Sequence, residues 1–257
     1  MTQATIRSIY RYPVKGLSAQ ELPRVNLATG ETLPLDRAYA IANGFDDFDP
    51  ANPIFVPKQR FLMLMKNERL AGLDTRFDAA TQTLSIVANG EEAARGDLRT
   101  HEGRGAIEAF FRRYCANELR GPLEVMHAEN FSFADAVGKF VSIINLASVA
   151  AIEDLVGAPV DPLRFRGNVY VSGSWPAWHE FNLVGQTVAI GENVRLRVNR
   201  RIERCAATNV EPFTGIRDLN IPRALYQRFG HADCGIYAEV VAPGEIAVGD
   251  TVRGEAV

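Results

Sequence analysis

The chain has 257 residues, with 28 Lys and Arg against 31 Asp and Glu, four His and three Cys. At 47% hydrophobic and 23% charged it is neither disordered nor fibrous in composition, and it is long enough to bury a core without disulfides or a structural metal. A net charge of -3 offers no positive field for nucleic acid or an anionic membrane, and an odd, sparse set of cysteines fits a reducing compartment. Residues 2–7 lack the basic and apolar segments of a secretory signal. The most apolar stretch, 141–155, is interrupted by Ser142, Asn145, Ser148, Glu153 and Asp154, and falls short of a membrane span. The expectation is a soluble cytoplasmic protein with neither a nucleic-acid nor a membrane partner.

Short runs rich in Val, Ile, Leu, Thr and Tyr recur between Gly, Pro, Asn and Asp, which is the pattern of strands. In chain order, strands are expected at 6–14, 22–27, 38–42, 61–66 and 83–88. The polar stretch 90–105 reads as a loop or a junction. A helix is expected at 105–116, where Ile107, Phe110, Phe111 and Tyr114 recur at helical spacing. Strands at 123–127 and 141–144 precede a second helix at 147–156, with Gly157 as its stop. Strands follow at 168–171, 187–190 and 194–198, then a third helix at 222–229 with proline in its first turn, then strands at 235–241 and 251–253. Many strands and few helices, without strict alternation of the two, predict a β-rich α+β protein. A soft boundary between 100 and 125 suggests two parts, 1–115 and 116–257.

The common site motifs are missing. There is no G-x-x-x-x-G-K-[ST] loop, and Gly103-Arg104-Gly105 lacks the third glycine and the preceding strand of a dinucleotide site. Cys115, Cys205 and Cys234 are far apart, so neither a zinc ribbon nor an iron–sulfur cluster is encoded. The acidic run 46–50 lacks the glycine and distal Glu of a calcium loop and reads as a solvated turn.

Reactive side chains concentrate at 199–215. Cys205 follows an expected strand and precedes a loop containing Pro212 and Gly215, with Arg204 adjacent and Arg200 and Arg201 nearby. Neighbouring cations favour thiolate over thiol, and so favour nucleophilicity or metal ligation. The alternative is a buried cysteine acting as a small hydrophobe. A second basic cluster, Arg164, Arg166 and Asn168, falls on one face if the segment is extended, a surface suited to an anion or an amide. A solvated edge strand is the alternative there. At Tyr12-Pro13-Val14-Lys15-Gly16 a strand stops at a glycine whose backbone can approach a ligand, and Asp36-Arg37 precedes another strand. Cys115 and Cys234 read as packing residues.

Together these segments resemble the MOSC family, the domain named for the C-terminal part of molybdenum cofactor sulfurase. The closer likeness is to two-part members with an N-terminal MOSC-type β-barrel, the group of the mitochondrial amidoxime-reducing component and its bacterial relatives. The likeness rests on Tyr12 to Gly16, Asp36-Arg37 and Gln59-Arg60 in the N-terminal half. In the C-terminal half it rests on Arg164-Phe165-Arg166-x-Asn168, Trp178-x-Glu180, Arg204-Cys205-x-x-Thr208-x-Val210-Glu211-Pro212-x-Thr214-Gly215 and Gly235-x-Tyr237. Gly167 departs from the proline many members have.

The resemblance implies an N-terminal β-barrel-like part packed on a MOSC β-barrel with a few helices. It implies a molybdenum cofactor whose metal is bound by the Cys205 thiolate, which makes Cys205 both metal ligand and catalytic residue. Lys15, Gly16, Arg37, Arg60, Arg164, Arg166, Asn168, Arg204 and Thr208 match positions around the cofactor. Asn145 and Ser148 look like the polar pair lining the pterin pocket. The implied activity is reduction of small N-hydroxylated substrates with electrons from a separate ferredoxin-, flavin- or cytochrome-type donor. A carrier of the cofactor, or of persulfide sulfur on Cys205, is the second reading, and a scaffold without cofactor the third.

Overall fold

The computed structural model describes residues 2–44 and 47–255, so Asp46 of the acidic run lies outside the described residues. In chain order the strands begin with β1 (Gln3–Arg11), β2 (Gln20–Leu22), β3 (Arg24–Leu27) and β4 (Tyr39–Ile41). A meander of β5 (Asp74–Asp78), β6 (Thr83–Ala88) and β7 (Glu91–Asp97) leads into helix α1 (His101–Tyr114). Then come β8 (Val125–His127), β9 (Val141–Asn145), α2 (Leu146–Val156), β10 (Val169–Gly173), β11 (Thr187–Ile190) and β12 (Val194–Glu203). The chain finishes with α3 (Ile221–Phe229), β13 (Asp233–Ala242), β14 (Gly244–Ala247) and β15 (Thr251–Glu255). With three α-helices among the described residues, this is the β-rich α+β protein expected.

Seven strands close into a barrel in the order β1, β10, β9, β13, β12, β11, β15 and back to β1. Closure leaves these strands no exposed edge within the sheet. The neighbours β9 and β10 are parallel and the other six pairings antiparallel. A parallel pair needs a crossover, and α2 is that crossover. Alternation along the staves turns Ile6, Ile9, Ile143, Val169, Val171, Val188, Leu196, Val198, Ile236 and Val240 inward as one apolar core. The first eleven residues thus complete a barrel whose other staves all come from beyond residue 140.

A second core lies between β4, β8, the meander and α1, and contains Tyr39, Ile41, Leu62, Leu70, Phe77, Ile86, Ile107 and Phe111. Thr100 caps α1, its hydroxyl accepting from the Gly103 amide at 3.0 Å. The expected polar loop at 90–105 is instead β7 and the first turn of α1. A Cβ on Gly96 would fall 2.1 Å from the Gly103 oxygen, and one on Gly103 would fall 2.1 Å from the Asp97 oxygen. Gly103 is therefore a packing contact between helix and strand. The stretch 61–66 forms turns, with one bridge from Phe61 to Ala42, and not the expected strand. No helix is long and apolar enough to cross a membrane among the described residues.

Candidate functional site: a cationic cleft around Cys205

Beyond Glu203, strand β12 gives way to a single helical turn, Ala206–Asn209, which Cys205 precedes in an extended conformation. The turn is braced from three sides. The buried Thr208 donates its amide (3.1 Å) and its hydroxyl (3.0 Å) to the Cys205 carbonyl. Asn209 accepts from the first amide of α3 at 3.0 Å. Arg217 donates to the Ala206 carbonyl at 3.0 Å and to the Met65 carbonyl at 2.7 Å, tying the turn to the 61–66 segment. Arg204 donates to the carbonyls of Cys234 (2.7 Å) and Phe165 (2.8 Å), so it holds backbone in place.

Cys205 lines a cavity of about 830 Å³. Its walls also carry Lys15, Gly16, Arg37, Arg164, Arg166, Asn168, Arg204 and Thr208, so nine of the expected site residues share one cleft. Eight cationic side chains face it against four carboxylates, a surplus that favours an anionic ligand. Two residues not expected from the sequence, Lys58 and Asp135, complete the floor. Asp135 bridges two ammonium groups, accepting from Lys15 and pairing with Lys58 at 3.3 Å. Burial would raise the Asp135 carboxyl, but Lys15 and then Lys58 outweigh it and hold it at about 2. Burial pulls Lys58 down, whereas Asp135 and then Cys205 carry it above the ordinary lysine range. Lys58 and Cys205 thus share one cleft.

The segment around Arg166 is not extended. Pro162–Phe165 is a helical turn, and Arg166 follows it at φ 49°, in the left-handed region. The alternation expected for Arg164, Arg166 and Asn168 is absent, because Asp161 caps the turn by accepting from Leu163 at 2.8 Å. Arg164 is buried in a bidentate pair with Asp218 at 2.8 and 2.6 Å, while its Nε is buried without a partner. Nη2 of Arg166 is also buried and unpartnered. Burial lowers the Arg166 guanidinium to about 10. Asn168 knits strands, its side-chain oxygen accepting from the Ser142 amide and hydroxyl at 3.1 and 2.7 Å. Gly16 has φ 83°, and a Cβ there would lie 3.1 Å from the Leu62 oxygen, so chain crossing alone demands glycine.

Three expected site residues lie elsewhere. Arg60 is exposed at the end of the Lys58–Arg60 turn and does not line the cleft. Asn145 and Ser148 point at the buried carboxylate of Glu180, donating to it at 3.0 and 2.8 Å. Asn145 also caps α2. Their polarity serves a buried acid whose pKa burial raises.

The three cysteines differ sharply. Cys115 and Cys234 are fully buried, and burial pushes both thiols up to about 12. Cys205 is half-buried. Native protein at pH 8 should therefore take up iodoacetamide at Cys205 at least about tenfold faster than at the other two, as peptide mass mapping would read. Equal labelling of Cys234 would contradict this placement.

A closed seven-stranded barrel thus carries one accessible cysteine in a cleft lined by surplus cations. Residues 128–253, just under half of the chain, match the family model of the MOSC domain. MOSC domains are associated with the molybdenum cofactor. Among solved structures, the YuaD protein of Bacillus subtilis is 14% identical with a TM-score of 0.46, covering 98% of this chain and 94% of that one. YiiM of Geobacillus stearothermophilus is 19% identical with a TM-score of 0.35, covering 45% of this chain and 54% of that one. No curated protein matches the chain.

Proposed function

We propose that the cleft holds a molybdenum-bearing pterin through the Cys205 thiolate, and that the loaded protein reduces N-hydroxylated compounds. The observation that carries this reading is the half-buried thiol set among surplus cations, two of which keep a buried N–H without a partner. Those features fit the group: a thiolate is a soft ligand for such a metal, and a phosphate-bearing tail would answer the orphaned guanidinium N–H groups.

When bound, the cofactor supplies two-electron oxygen-transfer chemistry at the metal. The chain's own residues do the rest. Cys205 would ligate the metal, Lys58 adds its charge to the same cleft, and Asp135 fixes Lys58 and Lys15 to each other. Arg37, Arg164 and Arg166 hold the anionic tail. Reduction breaks the N–O bond, consumes two electrons and two protons, and releases water with the amine or amidine. The electrons come from a separate ferredoxin-, flavin- or cytochrome-type donor. Reduced viologen should be oxidised by molybdenum-loaded protein only when benzamidoxime is added, with benzamidine formed in step. Full molybdenum loading without any substrate-dependent oxidation would refute the reductase in favour of a carrier of the cofactor.

A further inference from the structure

Tyr12, 1% exposed and just past the end of β1, lines a second cavity, of about 660 Å³, that shares Gly16, Arg164 and Arg166 with the cleft. Two guanidinium groups rest against its ring, Arg37 at 4.3 Å and Arg166 at 4.2 Å from the centroid. Like charges this close repel, so the arrangement has to be held from outside. It is held by a closed set of bonds. The Tyr12 amide donates to Asp36 at 2.8 Å, Asp36 accepts from Arg37, and Arg37 donates through Nη2 to the Arg166 carbonyl at 2.8 Å. The Arg37 amide returns to the Tyr12 carbonyl at 2.8 Å. Both arginines take left-handed backbone conformations, φ 51° and 49°, which side chains other than glycine rarely adopt. Such strain persists only where the surroundings over-determine it, and it gathers at ligand sites.

The two cations are not equivalent. Arg37 has Asp36 as its counter-ion. Among the described residues no carboxylate pairs with Arg166, and its buried Nη2 donates to nothing. The ring face, with the fields of the more distant Asp135 and Asp36, compensates it less than a paired carboxylate would.

We propose that Tyr12 is a positioning residue for the anion bound in this cleft: its ring holds the Arg37 and Arg166 guanidiniums as one rigid unit and leaves Arg166 an N–H to give. The inference rests on the reading that the cleft receives a phosphate-bearing ligand, and it adds the residue that organises the receptor. An aliphatic side chain at this position would let the two cations splay apart. A phenyl ring would keep them.

The test is calorimetric titration of the unloaded full chain with inorganic phosphate. Wild type and Tyr12→Phe should bind within about twofold of each other, and Tyr12→Leu about tenfold more weakly. A second set needs no change at Tyr12: Arg37→Gln, Arg166→Gln and the double variant. If the pair acts as one unit, either single change should cost nearly as much as both. Tyr12→Leu binding as tightly as wild type, or additive losses in the arginine set, would overturn the role of Tyr12 while leaving the cofactor reading intact. Wild-type protein that binds no phosphate would overturn that reading together with the inference.

Discussion

Gly235→Ala should destabilise the protein by about 4 kcal/mol, combining left-handed strain with overpacking. Gly235 sits near the start of β13 at φ 78°, where a side chain is strained whatever the space. The space is also taken: a Cβ would fall 2.5 Å from Ile144 Cδ1, 2.7 Å from the Ile143 oxygen and 3.1 Å from Arg204 Nη2. Ile144 belongs to a further apolar core, formed with Val149, Phe165 and Leu225, and cannot yield without disturbing it. Arg204 could yield only by leaving the Cys234 carbonyl, the contact that anchors the residue before Cys205. The melting temperature should drop by roughly 10 °C for a chain of this size. Gly157→Ala is the control. That glycine is also left-handed, φ 68°, but nothing lies within 4 Å of its Cβ position. It should cost only about 1 kcal/mol. If the two variants melted together, the crowding at Gly235 would play no part in holding β13 against β9.

Many of the elements were legible in the sequence as short runs rich in Val, Ile, Leu and Thr or as apolar residues at helical spacing, whereas the barrel they close was implied only by the family resemblance. The expected spans 83–88 and 187–190 coincide with β6 and β11, and 147–156 differs from α2 by one residue, with Gly157 ending the helix at a left-handed cap. β7, Glu-Glu-Ala-Ala-Arg-Gly-Asp, carries almost no apolar signal. It is a strand because β6 pairs with it and α1 packs on it, both of which are tertiary facts. The stretch 61–66 fails in the opposite direction. Phe61, Leu62, Met63 and Leu64 are apolar because they are buried in turns, not because they alternate across a sheet.

At the site, Cys205 could be singled out from its own neighbours in the chain. Lys58 and Asp135 could not, since they reach the cleft from two loops 77 residues apart and neither carries a local motif. The arginines at 164 and 166 were expected with Asn168 on one face of an extended segment, a geometry that does not exist here, because the Asp161 cap and Pro162 wind the segment into a turn. Asn145 and Ser148 drew attention as polar residues at a helix start. The partner that explains them, Glu180, lies more than thirty residues away.

Cys205→Ser should abolish metal binding without harming the fold. Serine is close in size, the position is only half-buried, and the brace on the turn runs through the Cys205 carbonyl and Thr208, not through the sulfur. An alkoxide is far less accessible than a thiolate at neutral pH and is a poorer partner for a soft metal. No other cysteine can substitute, since Cys115 and Cys234 are sealed in the core with thiols near 12. The cations of the cleft remain, so the variant should still bind inorganic phosphate. The most direct measurement is therefore the molybdenum content of wild type and Cys205→Ser, purified side by side from molybdenum-replete cells, with melting temperature recorded on the same samples. The account predicts about one molybdenum per wild-type chain and less than about a tenth of that in the variant, at matched stability. Equal molybdenum in the two proteins, or none in wild type, would contradict it.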